Sequence, residues 1–242
     1  MSLRDAYDKW HEGVFAGAPE HADETSPWYR LVLEYLGPVD GRRILEVACG
    51  RGGFVRLLAS RGARVVGSDF SISALRIAQQ KLRSNGDGSG RGTLVQTDAQ
   101  RLPYADESFD VVISCETIEH VPDQQRALCE MWRVARPGAR LFLTTPSYFN
   151  CMGLYELYSL VRHPHRKDDQ PFDRRQVFFQ VRHWVRRAGW RILYADGTVH
   201  QFPFIPGRNP VTFAVLESNR TVRRILSPFA FHYFLHARKG SA

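Results

Sequence analysis

The stretch "LEVACGRGGF" runs from Leu45 to Phe54. A short apolar run carries one carboxylate, Glu46, and breaks into a turn holding Gly50, Gly52 and Gly53. Glycine-rich turns between a strand and a helix let backbone approach a ligand closely, most often a phosphate. A dinucleotide cradle asks for G-x-G-x-x-G and an acid roughly 20 residues further on. Gly50 and Gly52 fit, and Asp69 stands at about that distance, but Val55 takes the place of the third glycine.

Outward from this turn, short strands alternate with helices. "RRILEVA" reads as a buried strand, and "GGFVRLLASRG" as a helix that Gly62 stops. "ARVVGSD" is a second strand; "SISALRIAQQKLRSNG" is a helix with Ser71 as N-cap. "NGDGSGRG" is a solvent loop. "TLVQTD" and "FDVVISC" are further strands, and "DQQRALCEMWRVARPG" is a helix stopped by Pro137-Gly138. "ARLFLTTP" is a fifth strand. A helix over "RRQVFFQVRHWVRRAGW" and closing strands in "RILYADGTVH" and "FAFHYFLHARK" complete the pattern. Alternation of this kind predicts a doubly wound, mostly parallel sheet with helices on both faces. Such sheets bind ligands beyond the carboxyl ends of their strands, where Glu46 to Gly53, Asp69, Asp98 and Cys115 to His120 fall.

Carboxylates at those ends repel a pyrophosphate. They suit S-adenosylmethionine, which has no phosphate and carries a sulfonium, an ammonium and a ribose diol. Asp69 can accept the ribose hydroxyls and Asp98 the adenine amino group.

The segments "LEVACGRGG", "VVGSDFSISAL", "QTDAQRLPYADESFDVVIS" and "RVARPGARLFLTTP" follow one another over residues 43–146. In that order and spacing the chain resembles the class I S-adenosylmethionine-dependent methyltransferases. The resemblance implies a Rossmann-like seven-stranded α/β sheet with the last strand antiparallel, and in-line methyl transfer. It assigns Glu46, Gly50 and Gly52 to the methionine end, Asp69 to the ribose, and Asp98 with Ala99 to the adenine, with Ala48 also in the cofactor-binding set. Phe70 would flank the adenine ring, and Cys115 joins the cofactor-binding set. Residues 1–40 are expected to form a helical cap, 43–146 the cofactor core, 147–172 a lid or substrate insert, and 173–242 the C-terminal helices and closing strands of one methyltransferase domain.

A second constellation lies in "SCETIEHVPD", Ser114–Asp123. On a helical turn, Glu116, Glu119 and His120 would share a face and could ligate a divalent cation. The stretch resembles that of metal-dependent ubiquinone-biosynthesis O-methyltransferases and of small-RNA 2′-O-methyltransferases. Gln170 stands where the RNA enzymes carry a second histidine, with His163 and His165 nearby. Two other readings need no metal: His120 as general base for a hydroxyl, or Glu119-His120 as a structural helix start.

The 242 residues carry a net charge of +8, which favours anionic partners. Arg162, His163, His165, Arg166 and Lys167 cluster in the insert, with Arg174, Arg175, Arg182, Arg186, Arg187 and Arg191 beyond. They read either as a solvated face or as a rim for an anionic, sugar-linked or lipid-linked acceptor. No RNA-binding module is recognisable, so nucleic acid ranks below a small molecule. The aromatic segment "SPWYRLVLEYL" would cover the pocket. Four cysteines without CxxC pairing and the lack of an apolar leader or membrane-length run point to a cytoplasmic protein, monomer or homodimer. The expected activity is methyl transfer to a small-molecule hydroxyl. An N-methyltransferase, an RNA 2′-O-methyltransferase, a non-catalytic S-adenosylmethionine-binding subunit and a dinucleotide oxidoreductase are the alternatives.

Overall fold

A computed structural model describes residues 1–13, 26–84, 92–149, 153–154, 157, 161, 170–202, 211–212 and 214–241. The core of the expected insert, with His163 and His165, lies outside them, as does the loop 85–91. Two helices open the chain, α1 (Leu3–Gly13) and α2 (Pro27–Leu36). Then β1 (Arg43–Val47), α3 (Gly53–Ser60), β2 (Arg64–Asp69), α4 (Ile72–Ser84) and β3 (Gly92–Gln96) alternate. β4 (Phe109–Cys115) leads through a 3-10 turn (Ile118–His120) into α5 (Gln124–Val134) and β5 (Ala135–Pro146). After α6 (Phe178–Arg187) and β6 (Arg191–Thr198) come two short strands, β7 (Gln201–Phe202) and β8 (Val211–Thr212). Helices α7 (Ala214–Ser218) and α8 (Arg220–Leu226) precede β9 (His232–Arg238).

The main sheet has seven strands in the order β3-β2-β1-β4-β5-β9-β6. β1 through β5 pair in parallel, and β9 runs antiparallel between β5 and β6. Order reverses between β1 and β4, the switch point at which such sheets open a crevice. β1 and β4 are buried almost end to end, which is why they read as continuous apolar runs. On one face α5 and α6 bring Leu128, Met131, Val181 and Val185 onto Leu141, Leu143 and Leu235. On the other, α2 and α3 bring Val32, Leu36, Phe54 and Leu58 onto Ile44, Phe142 and Phe234.

The helix signals work as chemistry demands. The Ser71 hydroxyl accepts from the Ala74 N–H at 3.1 Å, capping α4. Asp123 caps α5 by accepting from the Arg126 N–H at 2.9 Å. Gly62, at φ +90°, ends the turn after α3, with its N–H on the Ala59 carbonyl and that of Ala63 on Leu58. One boundary differs from the sequence expectation. Pro137-Gly138 does not stop α5, which already ends at Val134; the pair lies inside β5. There the pairing with β4 jumps from Phe109–Ala135 to Val111–Arg140, so Pro137 and Gly138 occupy a bulge, where a strand tolerates proline.

Candidate active site

The site is built at the carboxyl ends of β1, β2 and β4. Past Val47 the chain turns through Ala48 at φ +55°, Gly50 at φ +51° and Gly52 at φ +71°. Ala48 holds a left-handed backbone without being glycine, a strain of roughly 1–2 kcal/mol. A side chain on Gly50 would point into open space, whereas one on Gly52 would meet Ala78 Cβ at 2.7 Å. The two glycines therefore do different work: Gly50 leaves backbone open to a ligand, and Gly52 lets α3 start against α4.

Asp69 ends β2 and is almost fully buried. Its two oxygens accept from the Gly50 N–H and the Ser71 N–H, each at 2.8 Å, and so fix the glycine turn against the start of α4. Burial raises its pKa despite these donors. Glu46 lies behind the cavity wall rather than on it. Its Oε1 accepts from the Tyr29 hydroxyl at 3.0 Å, and Oε2 is buried without a partner. Burial pushes its pKa up to about 8.

These elements open onto a cavity of about 740 Å³. Ala48, Gly50, Asp69, Phe70, Asp98, Ala99 and Cys115, all expected in a cofactor site, line it; Glu46 and Gly52 do not. Asp98 holds its own turn, accepting from the Gln100 N–H at 2.8 Å. The cover is aromatic. Tyr7 and Trp10 come from α1, Trp28 and Tyr29 from α2, Phe231 and His232 from the start of β9. Helix α1 is fastened over the site by Asp8, which accepts from the Ser71 hydroxyl at 2.6 Å, and by Glu12, which accepts from the Ser73 hydroxyl at 2.6 Å.

The expected metal face does not form. Glu116 sits at φ +50°, so it ends the strand instead of starting a helix, and the helical turn begins only at Ile118. Its carboxylate reaches away to His232 Nδ1 at 2.8 Å. Glu119 turns inward, where its Oε2 accepts from the Thr145 hydroxyl at 2.8 Å. Thr145 in turn accepts from the Gln176 amide. Burial first, and the Glu116 charge second, hold the Glu119 carboxyl well above the usual range. His120 points its Nδ1 at the Phe172 carbonyl, 2.9 Å away, with Glu119 Oε1 3.6 Å from Nε2. Among the described residues no three His, Cys, Asp or Glu side chains are grouped to hold a metal ion. The described residues do not fit one. Gln170 also faces the cavity.

Sequence reasoning missed His232, Asp173 and the Tyr7 position. Asp173 Oδ1 lies 3.8 Å from His120 Nδ1, and the Tyr7 hydroxyl donates to the same Phe172 carbonyl at 2.9 Å. Their cavity positions come from packing α1 and β9 across the strand ends, which no local pattern announces.

The residues do fit a cationic nucleoside ligand. The Asp69 carboxylate on the cavity wall holds a glycine turn that is open to the cavity at Gly50, the Glu116 carboxylate on the same wall has an unpartnered oxygen, and Phe70 offers a ring face. Burial of anions without cations is costly, and a positively charged ligand offsets it.

Comparison with known proteins agrees. The sequence model of a family described as "Methyltransferase domain" matches residues 45–143. A demethylmenaquinone methyltransferase of Renibacterium salmoninarum is 36% identical over 125 residues, covering 52% of this chain and 50% of the relative. A ubiquinone biosynthesis O-methyltransferase of Hahella chejuensis is 36% identical over 145 residues, covering 59% and 58%. The chain thus spans about half the length of the curated relatives it matches. Among solved structures, phosphoethanolamine N-methyltransferase 2 of Haemonchus contortus, in complex with S-adenosyl-L-methionine, superposes with a TM-score of 0.68. It shares 20% identity over 100% of this chain and 60% of that one, a likeness of fold. The strand order, the glycine turn and the sequence match agree: residues 45–143 carry the pattern of a methyltransferase domain on a Rossmann-like α/β sheet.

Proposed function

We propose that the protein transfers a methyl group from S-adenosylmethionine to a small, largely apolar acceptor, at a hydroxyl oxygen. The observation that carries this reading is the composite wall of one cavity. Strand-end residues Gly50, Asp69, Phe70 and Asp98 form part of it, and Trp10, Trp28, Phe231 and His232 form another part. When bound, the donor supplies a methyl group on a sulfonium, ready for in-line attack. Asp69 and Phe70 would hold the nucleoside, Asp98 and Ala99 the adenine, and the Ala48–Gly50 turn the methionine end.

The chain's own part is alignment, exclusion of water and removal of a proton. The aromatic residues and α1 line the side of the cavity from which water would be excluded. The His120 Nδ1–H donates to the Phe172 carbonyl, so Nε2 keeps its lone pair. Burial holds His120 below the ordinary imidazole pKa and therefore neutral near pH 7. A hydroxyl proton can pass to Nε2 as the oxygen attacks. A second reading of the base has its own observation: His232, whose Nδ1 is held by Glu116, also lines the cavity.

The relatives are named for demethylmenaquinone and for O-methylation in ubiquinone biosynthesis, which makes aromatic hydroxyls the first acceptors to try. A ring carbon of a quinol is the second. We place the reaction in the cytoplasm; no described helix is long and apolar enough to cross a membrane.

The test has two stages. Calorimetry with S-adenosylhomocysteine should show saturable binding, weakened in Asp69→Ala. Label from methyl-tritiated donor should then pass to one or more of a panel of catechols, hydroquinones and phenols. Loss of turnover in His120→Gln with retained binding supports oxygen as acceptor. Full turnover without His120 and without His232 would move the reaction to nitrogen. Binding with no transfer to any acceptor, amines and RNA included, would make the chain a non-catalytic binding subunit.

A further inference from the structure

The amino ends of the parallel strands, opposite the cavity, hold a second pocket of about 520 Å³. Three arginines line it, Arg42 before β1, Arg140 on β5 and Arg238 on β9, with one carboxylate, Asp110. Arg140 and Arg238 are direct cross-strand partners, and Arg238 is also the partner of Arg191 on β6. Like charges placed opposite one another across a sheet are destabilising. Here three such residues stand on three adjacent strands.

Asp110 feels the charge of Arg42, but its direct partners lie elsewhere. Its Oδ1 accepts from Arg136 at 2.8 Å and its Oδ2 from the Arg43 N–H at 2.9 Å. Part of the arginine donors is used structurally. Arg140 donates to the Leu36 carbonyl at 2.8 Å and more weakly to that of Tyr35 at 3.4 Å, which caps the end of α2. Arg238 Nε donates to the Gly138 carbonyl at 3.1 Å. A guanidinium has five N–H groups, so these contacts leave donors over. They also hold both side chains in place. The half-buried Arg140 feels its neighbours: burial first, then the charges of Arg42 and Arg238, lower its pKa.

From this convergence we propose that the pocket of Arg42, Arg140 and Arg238 binds a multiply charged phosphate-class anion, a diphosphate or a phosphomonoester. Guanidinium forks match phosphate oxygens two at a time, and several charges on one small group would answer several arginines together. The site is separate from the methyl-transfer cavity and does not rest on the activity proposed for it. The same chemistry is offered by a free phosphate compound and by a phosphate headgroup in a bilayer.

The experiment is a calorimetric titration of the full chain, saturated with S-adenosylhomocysteine, using pyrophosphate and then inorganic phosphate in about 150 mM salt. A parallel arm measures sedimentation with vesicles of phosphatidylcholine containing phosphatidic acid. Arg42→Gln, Arg140→Gln and Arg238→Gln are compared with Arg83→Gln, a control on α4. We expect saturable pyrophosphate binding that each pocket variant weakens about ten-fold and the control leaves alone. Arg42→Gln keeps the test valid even if loss of the α2 cap unfolds Arg140→Gln. Vesicle binding with the same dependence, without soluble pyrophosphate binding, would assign the phosphate to a headgroup. Absence of binding in both arms, or equal weakening by Arg83→Gln, would overturn the site.

Discussion

Glu116, at the end of β4, and His232, at the start of β9, are joined across the cavity wall by a 2.8 Å contact between Oε2 and Nδ1. Glu116 makes it from a left-handed backbone, φ +50°, and its Oε1 is buried without a partner. Strain retained beside a cavity commonly marks a functional position. Trp28 lies against the same imidazole, 4.8 Å between ring centroids, so the pair also sets the shape of the cavity wall. Glu116→Ala should lower acceptor kcat/KM by about ten-fold or more and leave S-adenosylhomocysteine affinity within about two-fold. Equal loss of both would show that the pair supports the whole site rather than the acceptor end.

Gly52 is a packing residue in a binding motif. Gly52→Ala adds a methyl 2.7 Å from Ala78 Cβ on a backbone at φ +71°. The expected cost is about 2–4 kcal/mol, from crowding and left-handed strain together. Ala78→Gly in the same chain should restore the crowding part only. Urea unfolding of the four chains measures the coupling, and strict additivity would contradict the contact.

Glu46 makes stability depend on pH in a stated direction. Its folded pKa of about 8 lies above the ordinary carboxyl value, so the folded chain binds the proton more tightly than the unfolded one. Stability from this group is fully present below the unfolded pKa and falls as pH rises toward 8. In ligand-free protein Glu46→Gln should remove most of that fall, a difference of roughly 2–4 kcal/mol between pH 5 and pH 8. Unchanged pH dependence in the variant would show that other groups set it.

The fastening of α1 to α4 is short, polar and testable. Asp8 takes both the Ser71 hydroxyl and, at 3.1 Å, the Ser73 N–H. Asp8→Ala with Glu12→Ala should speed amide exchange across residues 3–13 and weaken S-adenosylhomocysteine binding by about three- to ten-fold. Exchange unchanged in the double variant would mean that the apolar face of α1 alone holds it.

The first half of the site was legible because its signals are local. A buried run ending in Glu46, a turn with Gly50 and Gly52, and acids closing the next two strands are neighbours in sequence. The sheet follows from alternating apolar periods, and each strand delivers its terminal residue to one edge. Gly62 and Ser71 act on backbone within a few residues of themselves, so their effect could be read directly.

Other features depend on contacts between residues far apart in the chain. Glu116, Glu119 and His120 look like one ligand set only if their turn is regular. Left-handed backbone at Glu116 and three separate partners, His232 for Glu116, the Thr145 hydroxyl for Glu119 and the Phe172 carbonyl for His120, replace the shared helical face. His232 enters the site because β9 folds back antiparallel beside β5, and Arg140 meets Arg238 for the same reason. Sequence by itself determined the strand-end chemistry, because periodicity and turn propensity act over a few residues. Only the tertiary structure decided which side chains face the cavity and which charges crowd the far pocket, because those depend on strand register and helix packing between residues about a hundred positions apart.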